Sequence, residues 1–154
     1  MTVTTTHRQI DTGLLILRLV VGALFIAHGT QKIFVFGLAG VSSGFAHMGV
    51  PMAGVTAPFI ALLELLGGVA LVIGLLTRLA SLGLFFDMLG AIGFVHFKNG
   101  FFMPNGYEFA LTLAAVTFAL VLTGAGSISL DSLVFGRRPT ELPAIDAIQR
   151  GRAA

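Results

Sequence analysis

The sequence predicts an all-α membrane protein, a four-transmembrane-helix bundle with both termini in the cytoplasm. Three observations carry this. Hydrophobic residues make up 56% of the 154-residue chain and charged residues only 10%, against roughly 25% charged in a soluble domain. The mean hydropathy is +0.97, and the apolar residues fall into runs near the about 20 residues that cross a hydrocarbon core about 30 Å thick. Finally, Arg gathers at one end of those runs.

The first run covers residues 14–36, GLLILRLVVGALFIA leading into HGTQKIF. No convincing small-x-small cleavage site follows it, so it is expected to stay as a span instead of leaving as a signal peptide. The second covers 52–76, the third 79–97 and the fourth 107–123. GLAGVSSGFAHMGVP at 37–51, LTR at 76–78 and KNGFFMPNG at 98–106 carry the Gly, Pro and Asn of helix breaks and are expected as connections. The runs are too long and too evenly apolar for the alternating strands of a membrane barrel. The chain thus divides into an N-terminal cytoplasmic segment (1–13), a four-helix domain (14–123) and a cytoplasmic tail (124–154).

Four crossings put both ends on one side, together with Arg8, Arg78, Arg137, Arg138, Arg150 and Arg152, while the opposite side holds Lys98 and the span-end Lys32. The positive-inside rule assigns the arginine side to the cytoplasm, in a multi-pass protein of the cell membrane. The formal charge of +2 and pI near 9.7 follow from those juxtamembrane arginines, so the expected partner is membrane lipid and not nucleic acid.

The chain has no cysteine. That excludes a thiol relay or an iron-sulfur cluster held by its own thiolates, and no covalently or cysteine-bound cofactor is expected. Phosphate-loop, zinc-protease and nucleophile-elbow motifs are absent, and no metal site is expected.

What remains is a set of ionisable residues inside apolar runs, where each charge costs about 2.5–3.5 kcal/mol at a span centre. Depth sorts them. At about 1.5 Å rise per residue, Glu64 and Asp87 lie near mid-membrane with Arg18 roughly 10 Å below. These form an expected intramembrane charge cluster, in which Arg18 reaches up to a carboxyl. On the same ruler His28 lies about 5 Å above the centre, and Lys32, His96 and Glu108 about 10–12 Å above it. His28, Gln31 and Lys32 stand at i, i+3 and i+4, one polar stripe on one helix face. With His96, Asn105 and Glu108 they form an expected outer-leaflet polar pocket, Glu108 facing Lys32. The plainer reading has Lys32 snorkelling to the headgroups and the carboxyls fixing helix register.

LRLVVGALFIAHGTQKIF, ELLGGVALVIGLLTRLAS, HFKNGFF, NGYEFALTL and GAGSISLD occur in that order. As a set they resemble the DoxX family of small bacterial four-helix membrane proteins; this chain has GAG where members often have GPG. The resemblance implies a cytoplasmic-membrane protein linked to quinone-dependent oxidation of reduced sulfur or to oxidative-stress complexes. It leaves room for a quinone as cofactor, for a small sulfur oxyanion as ligand, and for soluble or membrane redox partner proteins. Its motifs nominate Arg18, His28, Gln31, Lys32, Glu64, Arg78, Asn105, Gly106 and Glu108. Three functions remain open: a redox-associated subunit with a polar pocket near the outer leaflet, a non-catalytic scaffold for partner proteins, and a small proton-coupled transporter working through Glu64 and Asp87.

Overall fold

The structure, a computed structural model, describes residues 3–136. The expected tail beyond residue 136, with Arg137, Arg138, Arg150 and Arg152, lies outside the described residues. Helix α1 (Val3–Thr30) continues into a π-helical turn, Gln31–Val35, and ends where Gly37 takes a φ of 69°. Helix α2 (Gly37–His47) is next, then α3 (Ala53–Ile73). Helix α4 (Thr77–Gly90) runs on through a second π-helical segment, Ala91–His96, and a 3₁₀ turn, Phe97–Asn99. Helix α5 (Glu108–Thr123) and the short α6 (Leu130–Val134) complete the order. There is no strand among the described residues.

Three helical stretches are long and apolar enough to cross a membrane: His7–Val35, Ala53–Ile73 and Thr77–Asn99. The fourth apolar helix, α5, has 16 residues, or roughly 24 Å at about 1.5 Å per residue. The stretch 37–51, expected as a plain connection, holds α2 instead. Leu38, Val41, Phe45 and Met48 recur at helical spacing within it, and Val41 is buried where α2 packs on α3.

Small residues set the closest crossing, between α1 and α3. A Cβ on Gly22 would stand 2.7 Å from the Gly68 carbonyl oxygen, and one on Gly29 would stand 2.5 Å from the Leu65 nitrogen. Only glycine admits backbones this close. On the other side α4 packs on α5, and Val21, Phe25, Leu71, Leu84, Met88, Leu113 and Leu120 fill the space between the helices.

One end of the bundle is tied by the segment after α5. Asp131 accepts from the backbone N–H of Leu76 at 2.7 Å and of Thr77 at 2.9 Å. That capping holds Leu76 at a φ of 49°, a left-handed conformation costing roughly 1–2 kcal/mol for a residue with a Cβ. Asp11 of α1 accepts from the backbone N–H and the hydroxyl of Ser127. The SLD motif is therefore the fastener of the α3–α4 turn.

Candidate functional site

The two π-helical turns sit at the end of the bundle away from this fastener, one closing the first span and one the third. A π turn adds a residue to a helical turn and so rotates the side chains C-terminal to it. Lys32 lies in the first such turn and His96 ends the second. Lys32 Nζ donates to Glu64 Oε2 at 2.5 Å, with the two side chains 20% and 4% exposed. Asp87 of α4 lies within electrostatic reach of both. Its Oδ2 is buried with no hydrogen-bond partner among the described residues.

These groups line a cavity of about 630 Å³ between α2, α3 and α4. The rest of its wall is mainly apolar: Phe45 from α2 and Met48 just after it, Phe59 and Leu63 from α3, Phe86 and Phe94 from the α4 stretch. Phe59 and Phe86 are also 61% and 60% exposed, so the cavity opens on the apolar flank of the bundle. At Gly90, on the same wall, an added Cβ would meet nothing within 4 Å. One ammonium, two carboxyls and an imidazole thus share an apolar chamber that can pair, hold and exchange protons with a small polar head group.

The expected residues divide differently from the depth ruler. Lys32 and His96, placed in the upper layer, share the cavity with Glu64 and Asp87 from the middle layer. Glu108 is not Lys32's partner. Its Oε1 accepts from the Met103 backbone N–H at 2.7 Å, because the loop before α5 folds back on itself and its backbone needs acceptors. Asn105 belongs to that loop; its carbonyl oxygen lies 2.9 Å from His96 Nδ1. Gly106 is required there, since a Cβ would come within 2.3 Å of the Phe102 carbonyl oxygen. His28 lies against Phe109 of α5, ring centroids 6.3 Å apart, and Gln31 is exposed.

Arg18 stands apart from Glu64 and Asp87 and points toward the fastened end. Its guanidinium donates to the carbonyls of Leu71 at 3.4 Å and Ile128 at 2.5 Å. Asp131 supplies the opposing charge. Leu71 lies in the last turn of α3; its carbonyl also accepts from the Gly74 N–H at 3.2 Å, and the buried arginine adds a second donor there. Gly74 makes the room, for a Cβ there would sit 1.9 Å from Arg18 Nη1. The charge pattern does not point to the aromatic residues of the cavity, Phe45, Phe59, Phe86 and Phe94. Phe86, Gly90 and Phe94 step by four along one helix, a signal present in the sequence but equally typical of a lipid-facing stripe. No cluster of three or more His, Asp or Glu among the described residues is arranged to hold a metal ion.

Membrane-length helices around a largely apolar, ligand-sized chamber with a few convergent polar groups define a small all-helical membrane protein. The chain belongs to the DoxX family, whose model matches residues 13–97. It is 37% identical over 130 residues to Inner membrane protein YqjF of Escherichia coli, covering 80% of this chain and 93% of that protein. It is 33% identical over 129 residues to a Bacillus subtilis protein named "Putative oxidoreductase CatD", covering 84% of this chain and 92% of the relative. A Haemophilus influenzae protein is 36% identical over 123 residues, covering 77% of this chain and 88% of the relative. No solved structure matches the chain.

Proposed function

We propose that this protein is a redox-associated membrane subunit whose cavity takes a neutral, amphipathic, hydrogen-bonding ligand of the quinone class. The observation that carries the reading is the Lys32–Glu64 pair with Asp87 beside it, inside an otherwise apolar cavity of about 630 Å³. Small-molecule sites are usually about 300–1,000 Å³, mostly apolar with a few convergent polar groups. The residues fit a quinone: Lys32 and His96 offer donors to its oxygens, Glu64 and Asp87 accept or return protons, and the phenylalanines flank the apolar part. A bound quinone would supply two-electron, two-proton redox chemistry. The oxidoreductase name of the Bacillus subtilis relative supports the same class.

The charge count argues against a free sulfur oxyanion in this chamber. Lys32 is already matched by Glu64, and an anion would also face Asp87, a repulsive arrangement at low dielectric. In this reading α5 is the fourth crossing, accommodated by local bilayer thinning. Both termini then lie in the cytoplasm with the arginines, and the cavity lies toward the outer leaflet.

A water-soluble short-chain quinone analogue, titrated calorimetrically into purified protein, tests the proposal. Wild type should bind saturably, and Gly90→Leu, which fills the cavity from a helix position with open space, should bind at least about tenfold more weakly. Thiosulfate should not compete. Equal binding by Gly90→Leu, or none by wild type, would favour the scaffold reading.

A further inference from the structure

A second cavity, of about 400 Å³, lies at the fastened end of the bundle, away from the Lys32 chamber. Its wall includes Thr77, Arg78 and Leu79 at the start of α4, the Gly124–Gly126 backbone after α5, and Phe135 and Gly136 beyond α6. It stands where α5 ends and α4 begins. Arg78 is exposed, and its only hydrogen bond among the described residues is to the Leu122 carbonyl at 3.2 Å. No carboxylate pairs with it among the described residues. Asp131 also lines the cavity, but both its oxygens are taken by the Leu76 and Thr77 amides and its charge faces Arg18. The hydroxyl of Thr77, fully buried, has no partner among the described residues.

The apolar side of this cavity is exposed as well. Leu79 is 66% and Phe135 63% exposed, and Leu133 and Val134 of α6 continue that surface. In the sequence, Arg137 and Arg138 come directly after Gly136. An exposed guanidinium with no carboxylate partner among the described residues, a helix start and a rim of exposed apolar side chains match a phosphate with acyl chains attached. We propose that this cavity binds an anionic phospholipid: the phosphate meets the Arg78 guanidinium, and the acyl chains run along Leu79 and Phe135. Such a lipid would brace the α3–α4 turn against α6 from outside, while Asp131 braces it from within.

Thermal unfolding of the detergent-purified full chain tests this, with phosphatidylglycerol, phosphatidylcholine or inorganic phosphate added. Phosphatidylglycerol should raise Tm by about 5 °C at saturation, the scale expected from filling one site. Phosphatidylcholine and inorganic phosphate should leave it unchanged, and Arg78→Gln should abolish the rise. Arg78 also caps the end of α5. Phe135→Glu, at an exposed position, therefore provides a second variant, which should lose the phosphatidylglycerol effect without lowering the basal Tm. An equal rise with phosphatidylcholine would make the effect a general lipid one and overturn the proposal. So would a full rise with phosphate alone, or an undiminished rise in either variant.

Discussion

Lys32 Nζ and Glu64 Oε2 meet at 2.5 Å across the crossing of the first span and α3. One turn before Lys32, Gly29 lies against the backbone of Leu65, the neighbour of Glu64. The ion pair and the glycine contact are one construction. The absence of a side chain at Gly29 brings the helices close enough for the lysine to cross.

Breaking this pair should cost more than removing it. Lys32→Met leaves Glu64 and Asp87 as two carboxyls with no ammonium, and loss of one partner of a buried pair costs about 3–5 kcal/mol. Lys32→Met with Glu64→Leu should recover most of that loss, since replacing both partners by apolar groups is often near neutral. Chemical unfolding in detergent, arranged as a double-mutant cycle, reads the coupling. Additive losses would mean the two charges do not interact.

The glycines should separate into two classes. Gly29→Ala and Gly68→Ala force backbone apart, because the added Cβ would meet atoms at 2.5 and 2.7 Å. Each should cost about 1–3 kcal/mol, the scale of overpacking. Gly90→Ala meets open space and should be neutral or stabilise by up to about 1 kcal/mol through helix propensity. Tm values for the three variants decide this, and a Gly90→Ala protein as unstable as the other two would refute the cavity geometry.

At the fastened end, Asp131→Ala should lower stability by about 2 kcal/mol, the upper range for losing a helix cap. Asp131→Asn keeps one acceptor and should cost less. Neither should change ligand binding in the Lys32 cavity, which lies at the other end. Paired measurements of Tm and of quinone-analogue affinity check both halves, and a large loss of affinity in Asp131→Asn would show that the two ends are coupled.

Much of this architecture can be read from the residues. Apolar runs locate the helices, and the ionisable residues inside those runs include Lys32, Glu64, Asp87 and His96 of the cavity. The partners were less legible, for three physical reasons. A depth ruler assumes straight α-helices, whereas the π turns at Gln31–Val35 and Ala91–His96 rephase the side chains beyond them, and a lysine reaches far along its own stem. Glu108 was assigned to Lys32 on depth alone, without counting the loop's own amide at Met103 that claims it. Depth matches Arg18 to carboxylates, whereas the backbone carbonyls of Leu71 and Ile128 take its donors. The helix at Gly37–His47 was obscured by its glycines and serines, though the spacing of Val41, Phe45 and Met48 carried it.

The topology has its own check, made clean by a chain with no cysteine. Single cysteines at the exposed positions Ser43 and Lys98 should react with a membrane-impermeant thiol reagent applied outside the cell. One at the exposed Gln9 should react only after the membrane is opened. The reverse pattern would put the Lys32 cavity toward the cytoplasmic leaflet.

In the proposed reading the chamber around Lys32, Glu64 and Asp87 holds a membrane-soluble, hydrogen-bonding ligand. The most direct test is mass-spectrometric identification of the lipophilic molecules extracted from protein purified out of its native membrane. Wild type should carry a quinone-class compound near one per chain, Arg78→Gln should retain it, and Gly90→Leu should lose it. Wild type free of any such compound, or Gly90→Leu carrying as much as wild type, would contradict the account.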